Sequence, residues 1–316
     1  MAKRVKKIAS GAATSPAVAF FHSIDLLRST CAFQTGIHED MLPFLTFNRD
    51  GTLCMATDAA DHEAFAAPLS PWLARYGIGR ILILVALLPH LRRPLFLHAL
   101  YFGHMHLLAF LHAHVDMTHV GHCTRRSTIR GITSSMSIQH DLLRVPAVRG
   151  HLDAVRFLHE HNYHLRSSDA MERAARRGFV DVVAFLDTHR PADNRIAQAI
   201  EAAALHNHVP VLRLLHERHP DVPFPTQTLA LVAAKGHVET VEYLLAQGAH
   251  VGAALRQAAS HGHVQVIQLL LASGHAARVA AAMEAAHARG RYDVVALLAA
   301  WADASSSSEP PGQPPE

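Results

Sequence analysis

The side chains in this sequence that could do chemistry are above all imidazoles: 27 of the 316 residues are histidine. The densest group is His112, His114, His119 and His122, with Cys123 directly after. Zinc would need several such groups converging at about 2 Å from one ion. On a helix, residues two apart point in different directions, and these spacings match no established zinc pattern, so no metal ligand is assigned. A second set, His104, His151, His208, His237 and His263, is spread over most of the chain, each residue directly after a glycine or its equivalent. Separated this widely, they cannot meet at one ion. In so histidine-rich a chain any imidazole can be paired with any acid, so no Ser-His-Asp or Cys-His arrangement stands out and no catalytic residue is assigned. The recurring glycines are too far apart to form a phosphate-cradling loop, and no cofactor is implied.

One row of cations is better ordered. Arg149, Arg177, His206, Lys235, His261 and Arg289 each stand immediately before one of the recurring glycines or its equivalent, with Arg176 and Arg256 nearby. In register they would form a ladder of basic groups able to engage an acidic protein partner. A second reading competes, because cations are favoured at the carboxyl end of any helix by about 0.3–1 kcal/mol. Asp153, Asp181, Glu239 and Asp293, three residues after the turns, have the mirror explanation at helix amino ends and take no catalytic role. Arg125-Arg126-Ser127-Thr128 is too short to specify a modification or nucleic-acid site and reads as an exposed loop.

The elements that must position this row emerge from residues 233 to 250. They read as the end of one helix, a tight turn at Gly236 where positive φ is needed, and a second amphipathic helix with Val238, Val241, Tyr243, Leu244 and Leu245 on one side. The pattern returns at Gly103, Gly150, Gly178, Asn207, Gly262 and Gly290, with intervals of 26 to 29 residues from Gly150 onward. Seven residues before the turn stand Leu143, Met171, Ile200, Leu229, Leu255 and Met283; five after stand Val155, Val183, Leu212, Val241, Ile267 and Val295. The slots two, seven and eight after the turn are refilled in the same way, from Leu152, Phe157 and Leu158 to Tyr292, Leu297 and Leu298. One such hairpin buries too little to fold alone, so the copies must stack and share interfaces.

Ala-x-x-Gly-His followed by a Val-Val-x-Leu-Leu helix resembles the ankyrin repeat, most closely over Ala233 to Leu245, Ala259 to Leu271 and Ala175 to Leu186. The resemblance extends over roughly residues 92 to 302. It implies an all-α, ankyrin-like solenoid of stacked helix-turn-helix repeats, a non-catalytic protein-interaction role, and post-turn histidines that hydrogen-bond backbone near the turn. Two departures stand against the family pattern. The Thr-Pro-Leu-His opening survives only near Pro94-Leu95, and the period falls short of the usual length of about 33 residues, which implies that the projecting fingers are trimmed to short loops.

Half the residues are hydrophobic, which excludes wholesale disorder, and a formal charge of +3 is too small to mark a nucleic-acid or membrane protein. Cys31, Cys54 and Cys123 form no Cys-x-x-Cys pair; a reducing, intracellular compartment, cytoplasmic or nuclear, is expected. The most apolar run, Ile81 to Leu88, falls well short of the roughly 18 residues a membrane span requires.

The expected organisation is a flexible basic arm over 1–16, an irregular helical amino-terminal cap over 17–91, the repeat array over 92–302 and a disordered tail over 303–316. Within the cap, Ala32, Gly36, Met41, Phe44 and Leu45 echo the repeat, and 48–70, with Pro68, reads as a loop or variable connection. Residues 117–140 hold a degenerate repeat or an insertion, and Pro146 should break the first helix that follows. The function expected is a scaffold presenting an extended repeat surface to a protein partner. Two alternatives stay open: an adaptor in a nucleic-acid-associated assembly, suggested by the basic opening and the 117–140 stretch, and an enzyme with its site in residues 1–91.

Overall fold

The computed structural model describes residues 37–45, 47, 59–117, 120, 122–129, 132–139, 142–163, 169–191, 195–274 and 278–306. The chain divides into two compact units after His140. The basic arm, Ala32, Gly36 and the tail from Ser307 onward lie outside the described residues.

The first unit contains α1 (Ala59–Tyr76), α2 (Ile81–Leu87), α3 (Arg92–Phe102) and α4 (Met105–His114), preceded by a 3-10 turn over Glu39–Phe44. The loop expected up to residue 70 gives way to helix from Ala59, despite Pro68 and Pro71. Burial overrides the local cost of proline here: His62, Phe65, Leu69 and Trp72 recur at helical spacing and are all buried. Met41 and Phe44 are buried against them, with Phe44 edge-on to Phe65 and Trp72 at 6.2 and 5.7 Å. Asp40 fixes this contact, accepting from Trp72 Nε1 at 3.0 Å and Arg80 Nη2 at 3.1 Å. Gly103, at φ 70°, joins α3 to α4. Beyond α4, β1 (His122–Ile129) pairs antiparallel with β2 (Ile132–Gln139), from His122 opposite Gln139 to Ile129 opposite Ile132. Arg125 to Thr128, expected in an exposed loop, therefore lie in a strand.

The second unit is built from six helix pairs among the described residues. They are α5 (Arg144–Arg149) with α6 (Leu152–Glu160), α7 (Ala170–Arg177) with α8 (Val180–His189), α9 (Ile196–Leu205) with α10 (Val209–Arg218), α11 (Thr228–Lys235) with α12 (Val238–Ala246), α13 (Ala254–His261) with α14 (Val264–Ala272), and α15 (Val279–Ala288) with α16 (Tyr292–Ser306). First helices pack on first helices, α5 to α15 in sequence, and second helices on second helices, α6 to α14 in sequence. This is the all-α, ankyrin-like solenoid expected. Pro146 is accommodated because α5 is short: the helix begins at Arg144, so proline falls in the first turn, where its missing N–H has no helical partner to lose.

The repeated columns separate by depth. Val155, Val183, Leu212, Val241 and Ile267 are fully buried, as is the column from Leu158 to Leu298 eight residues after each turn. The columns two and seven residues after the turn are mostly half-buried, and Tyr292 is 66% exposed. A further buried column lies four residues after the turn: Ala154, Val182, Val211, Thr240, Val266 and Val294. Buried alanines line the first helices, among them Ala174, Ala175, Ala203, Ala204, Ala258 and Ala259; side chains this small let neighbouring helices approach closely. Within the second unit the connections from second helix to next first helix contain no strand among the described residues. No single described helix is long and apolar enough to cross a membrane.

Candidate protein-interaction surface

Each turn is a helix stop of the same construction. Gly150, Gly178, Gly236 and Gly262 are left-handed, with φ between 76° and 81°. The N–H of the next residue reaches back to the first helix, as in Phe179 to Ala174 O at 3.1 Å and His263 to Ala258 O at 3.0 Å. The residue before the turn residue is thereby the last of the first helix at Arg149, Arg177, Lys235 and His261, and the residue that caps it at His206 and Arg289, so that it stands at an equivalent corner in every layer. Arg149, Arg177, His206, Lys235, His261 and Arg289 occupy this corner, and all six are exposed.

The residue after the turn links successive layers. The N–H of His208 bonds Ala203 O at 2.9 Å, its carbonyl accepts from Leu212 N at 3.1 Å to start α10, and its ring Nε2 donates to Arg176 O of the preceding layer at 3.0 Å. His237 donates to Leu205 O at 3.2 Å and His263 to Ala234 O at 2.9 Å. Each acceptor is one of the carbonyls that a helix end leaves without a partner. The expected backbone hydrogen bond thus exists at three interfaces, and it crosses from one layer to the one before. The imidazole lies flat on the earlier turn: a Cβ added to Gly178 would stand 2.5 Å from His208 Nδ1, and one on Gly236 2.5 Å from His263 Nδ1. Phe179 fills the same slot against Gly150 by contact alone. Where the turn residue is Asn207 (φ 60°), the buried Thr240 of the next layer donates its hydroxyl to Asn207 Oδ1 at 2.7 Å.

The row is close enough for neighbouring layers to feel one another. Lys235 Nζ donates to Leu205 O of the preceding layer at 2.8 Å. Burial, followed by the nearby Lys235, Arg176 and His208, holds His206 below the ordinary imidazole range, against the opposing pull of its bond to Ala202 O. His261 likewise donates Nδ1–H to Gln257 O at 3.0 Å. Arg176 is taken up by Glu172 at 2.6 Å, while Arg177 and Arg289 make no ion pair among the described residues. Asp153, Asp181, Glu239 and Asp293 stand exposed in the first turns of second helices, where a negative charge is favourable. None of Asp181, Glu239 and Asp293 closes an ion pair with the row.

Three features were not anticipated from spacing. At the ends of second helices, His114, His161 and His189 donate Nδ1–H to the carbonyl four residues earlier and stack on Phe110, Phe157 and Phe185; the Phe-x-x-x-His spacing was the available signal. Asp187, nearly buried, accepts from His219 Nε2 at 2.7 Å and Arg218 Nη1 at 3.2 Å, tying the end of α8 to the end of α10. A groove of about 440 Å³ runs along α8, α10 and α12, lined by Val180, Val209, Pro210 and Leu214 with Arg213, Glu217 and Glu239. Of the zinc candidates, His112 and His114 end α4, His119 is outside the described residues, and so are the side chains of His122 and Cys123. The described residues contain no group of three metal-ligating side chains.

These layers define a class: a helical repeat protein whose turns align equivalent side chains at one corner of the stack. Residues 199–281 match the family model for ankyrin repeats, in three copies, which supports the ankyrin resemblance over this stretch. The matched stretch contains the turns at Asn207, Gly236 and Gly262. No curated protein matches the chain. Ankyrin repeats are in general protein-interaction modules and non-catalytic.

Proposed function

We propose that this protein is a scaffold that captures a protein partner along the row Arg149, Arg177, His206, Lys235, His261 and Arg289, with no catalytic step of its own. The observation that carries this reading is the exposure of all six side chains at equivalent corners of consecutively packed first helices. A helix-end preference accounts for a basic residue at each corner; it does not require the guanidinium groups of Arg177 and Arg289 to stand without an ion pair among the described residues. The partner is acidic, because the charge that Arg149, Arg177, Lys235 and Arg289 bring to the row is of one sign and discriminates by charge complementarity. Without a Cys-x-x-Cys pair, the three cysteines suit a reducing compartment, cytoplasm or nucleus.

The test is proximity labelling in cells with the full chain and with R177E/K235E/R289E. The reading expects a set of proteins labelled by the parent and lost from the variant, while the circular dichroism of the two purified chains stays the same. Identical labelling by both would remove the row from recognition.

A further inference from the structure

The rise of the row from layer to layer restricts what can lie along it. We infer that the row engages an extended acidic segment of a partner protein carrying one carboxylate at every third residue, an inference that rests on the row being the docking surface. Packed helices lie roughly 8–10 Å apart, and each first-helix end contributes one row residue, an arginine or lysine in four of the six layers and a histidine in the other two. Contact between neighbouring layers is direct, since Lys235 reaches the carbonyl of Leu205. An extended segment in the polyproline II form rises about 3.1 Å per residue and turns once every three, so each third side chain returns to the same face after about 9 Å and keeps step with the layers, whereas a β-strand would turn every third side chain to the opposite face. A helical partner could match the rise with about seven residues per layer, but a segment dense in acids repels itself and extends.

Two further observations favour this occupant. Arg177, Lys235 and Arg289 are not neutralised by Asp181, Glu239 or Asp293 one turn away, so their charge is available to an incoming carboxylate. Those same acids border the row on the second-helix side and repel carboxylates displaced sideways, which requires the residues between the acids of the segment to be uncharged or basic.

The experiment uses the full chain and fluorescein-labelled peptides, read by anisotropy at physiological salt. One peptide of roughly 18 residues has glutamate at every third position; a second has the same composition with the glutamates clustered; a third, longer and helix-forming, has glutamate at every seventh. The every-third peptide should bind about tenfold more tightly than the clustered one, and R177E/K235E/R289E should remove that advantage. Because Lys235 also bonds backbone, R177E/R289E serves as a second variant that spares it and should remove most of the same advantage. Equal binding of spaced and clustered peptides, lost on charge reversal, would overturn the spacing while leaving the row as a docking surface. Preference for the helical peptide would overturn the extended geometry. Binding indifferent to both charge reversals, or absent altogether, would overturn the row as well.

Discussion

At the scale of residues, the substitutions within the repeat are paired. The turn that lacks glycine, Asn207, is followed one layer on by Thr240 in a column otherwise filled by alanine and valine. The hydroxyl and the amide oxygen satisfy each other at 2.7 Å. Thr240→Val alone should cost about 1 kcal/mol, by leaving Asn207 without this donor. Asn207→Gly relieves a left-handed non-glycine residue but strands a buried hydroxyl, and N207G/T240V should recover near-parent stability. Urea denaturation of the four proteins measures the coupling, and additive single effects would refute the pairing. His98 makes a second residue-scale prediction. It is buried among Phe65, Phe102 and His104, and burial first, then the nearby His104 and His62, lowers its pKa to about 4. The unfolded chain titrates near 6.5, so its stabilising effect is complete above that pH and falls away as pH drops toward 4. The full effect is about 3 kcal/mol. Thermal melts of the parent between pH 7 and pH 4.5 should fall more steeply than those of His98→Phe, and parallel curves would contradict the assignment.

At the scale of elements, the turn carries both the geometry and the connection between layers. Gly236 and Gly290 both have positive φ, but only Gly236 is covered by an imidazole of the next layer. Gly290→Ala should cost about 1 kcal/mol for the left-handed backbone alone. Gly236→Ala should cost at least about twice that, because the new Cβ displaces His263 and breaks its bond to Ala234 O. Equal losses by chemical denaturation would mean that the histidine contributes nothing across the interface. The turn was legible in the sequence because glycine, the preceding cation and the following histidine recur together. The direction of the histidine bond was not, since periodicity places a residue within its own repeat and carries no information about the neighbouring layer. The helix over residues 59–70 was missed because Pro68 and Pro71 outweighed the stripe of Phe65, Leu69 and Trp72. Pro146 misled in the same way: the expected penalty assumed an interior position, and the helix avoids it by starting at Arg144.

At the scale of the molecule, stacking converts a local helix-end preference into an ordered surface. Val183, Leu212 and Val241 come from three successive copies, and each is fully buried in the shared core. What the sequence could not display is depth: columns two and seven residues after the turn look as apolar as those at five and eight, yet they face partly outward and in part line the groove of Val180, Val209 and Leu214. The basic row depends on register among layers, and register is measurable. Spin labels at Arg177→Cys with Lys235→Cys, and at Arg177→Cys with Arg289→Cys, in a chain with Cys31, Cys54 and Cys123 replaced by serine, report two and four layer spacings by pulsed dipolar spectroscopy. The stacked row predicts separations of about 16–20 Å and about 32–40 Å. A separation for the 177/289 pair no larger than that for 177/235 would contradict it.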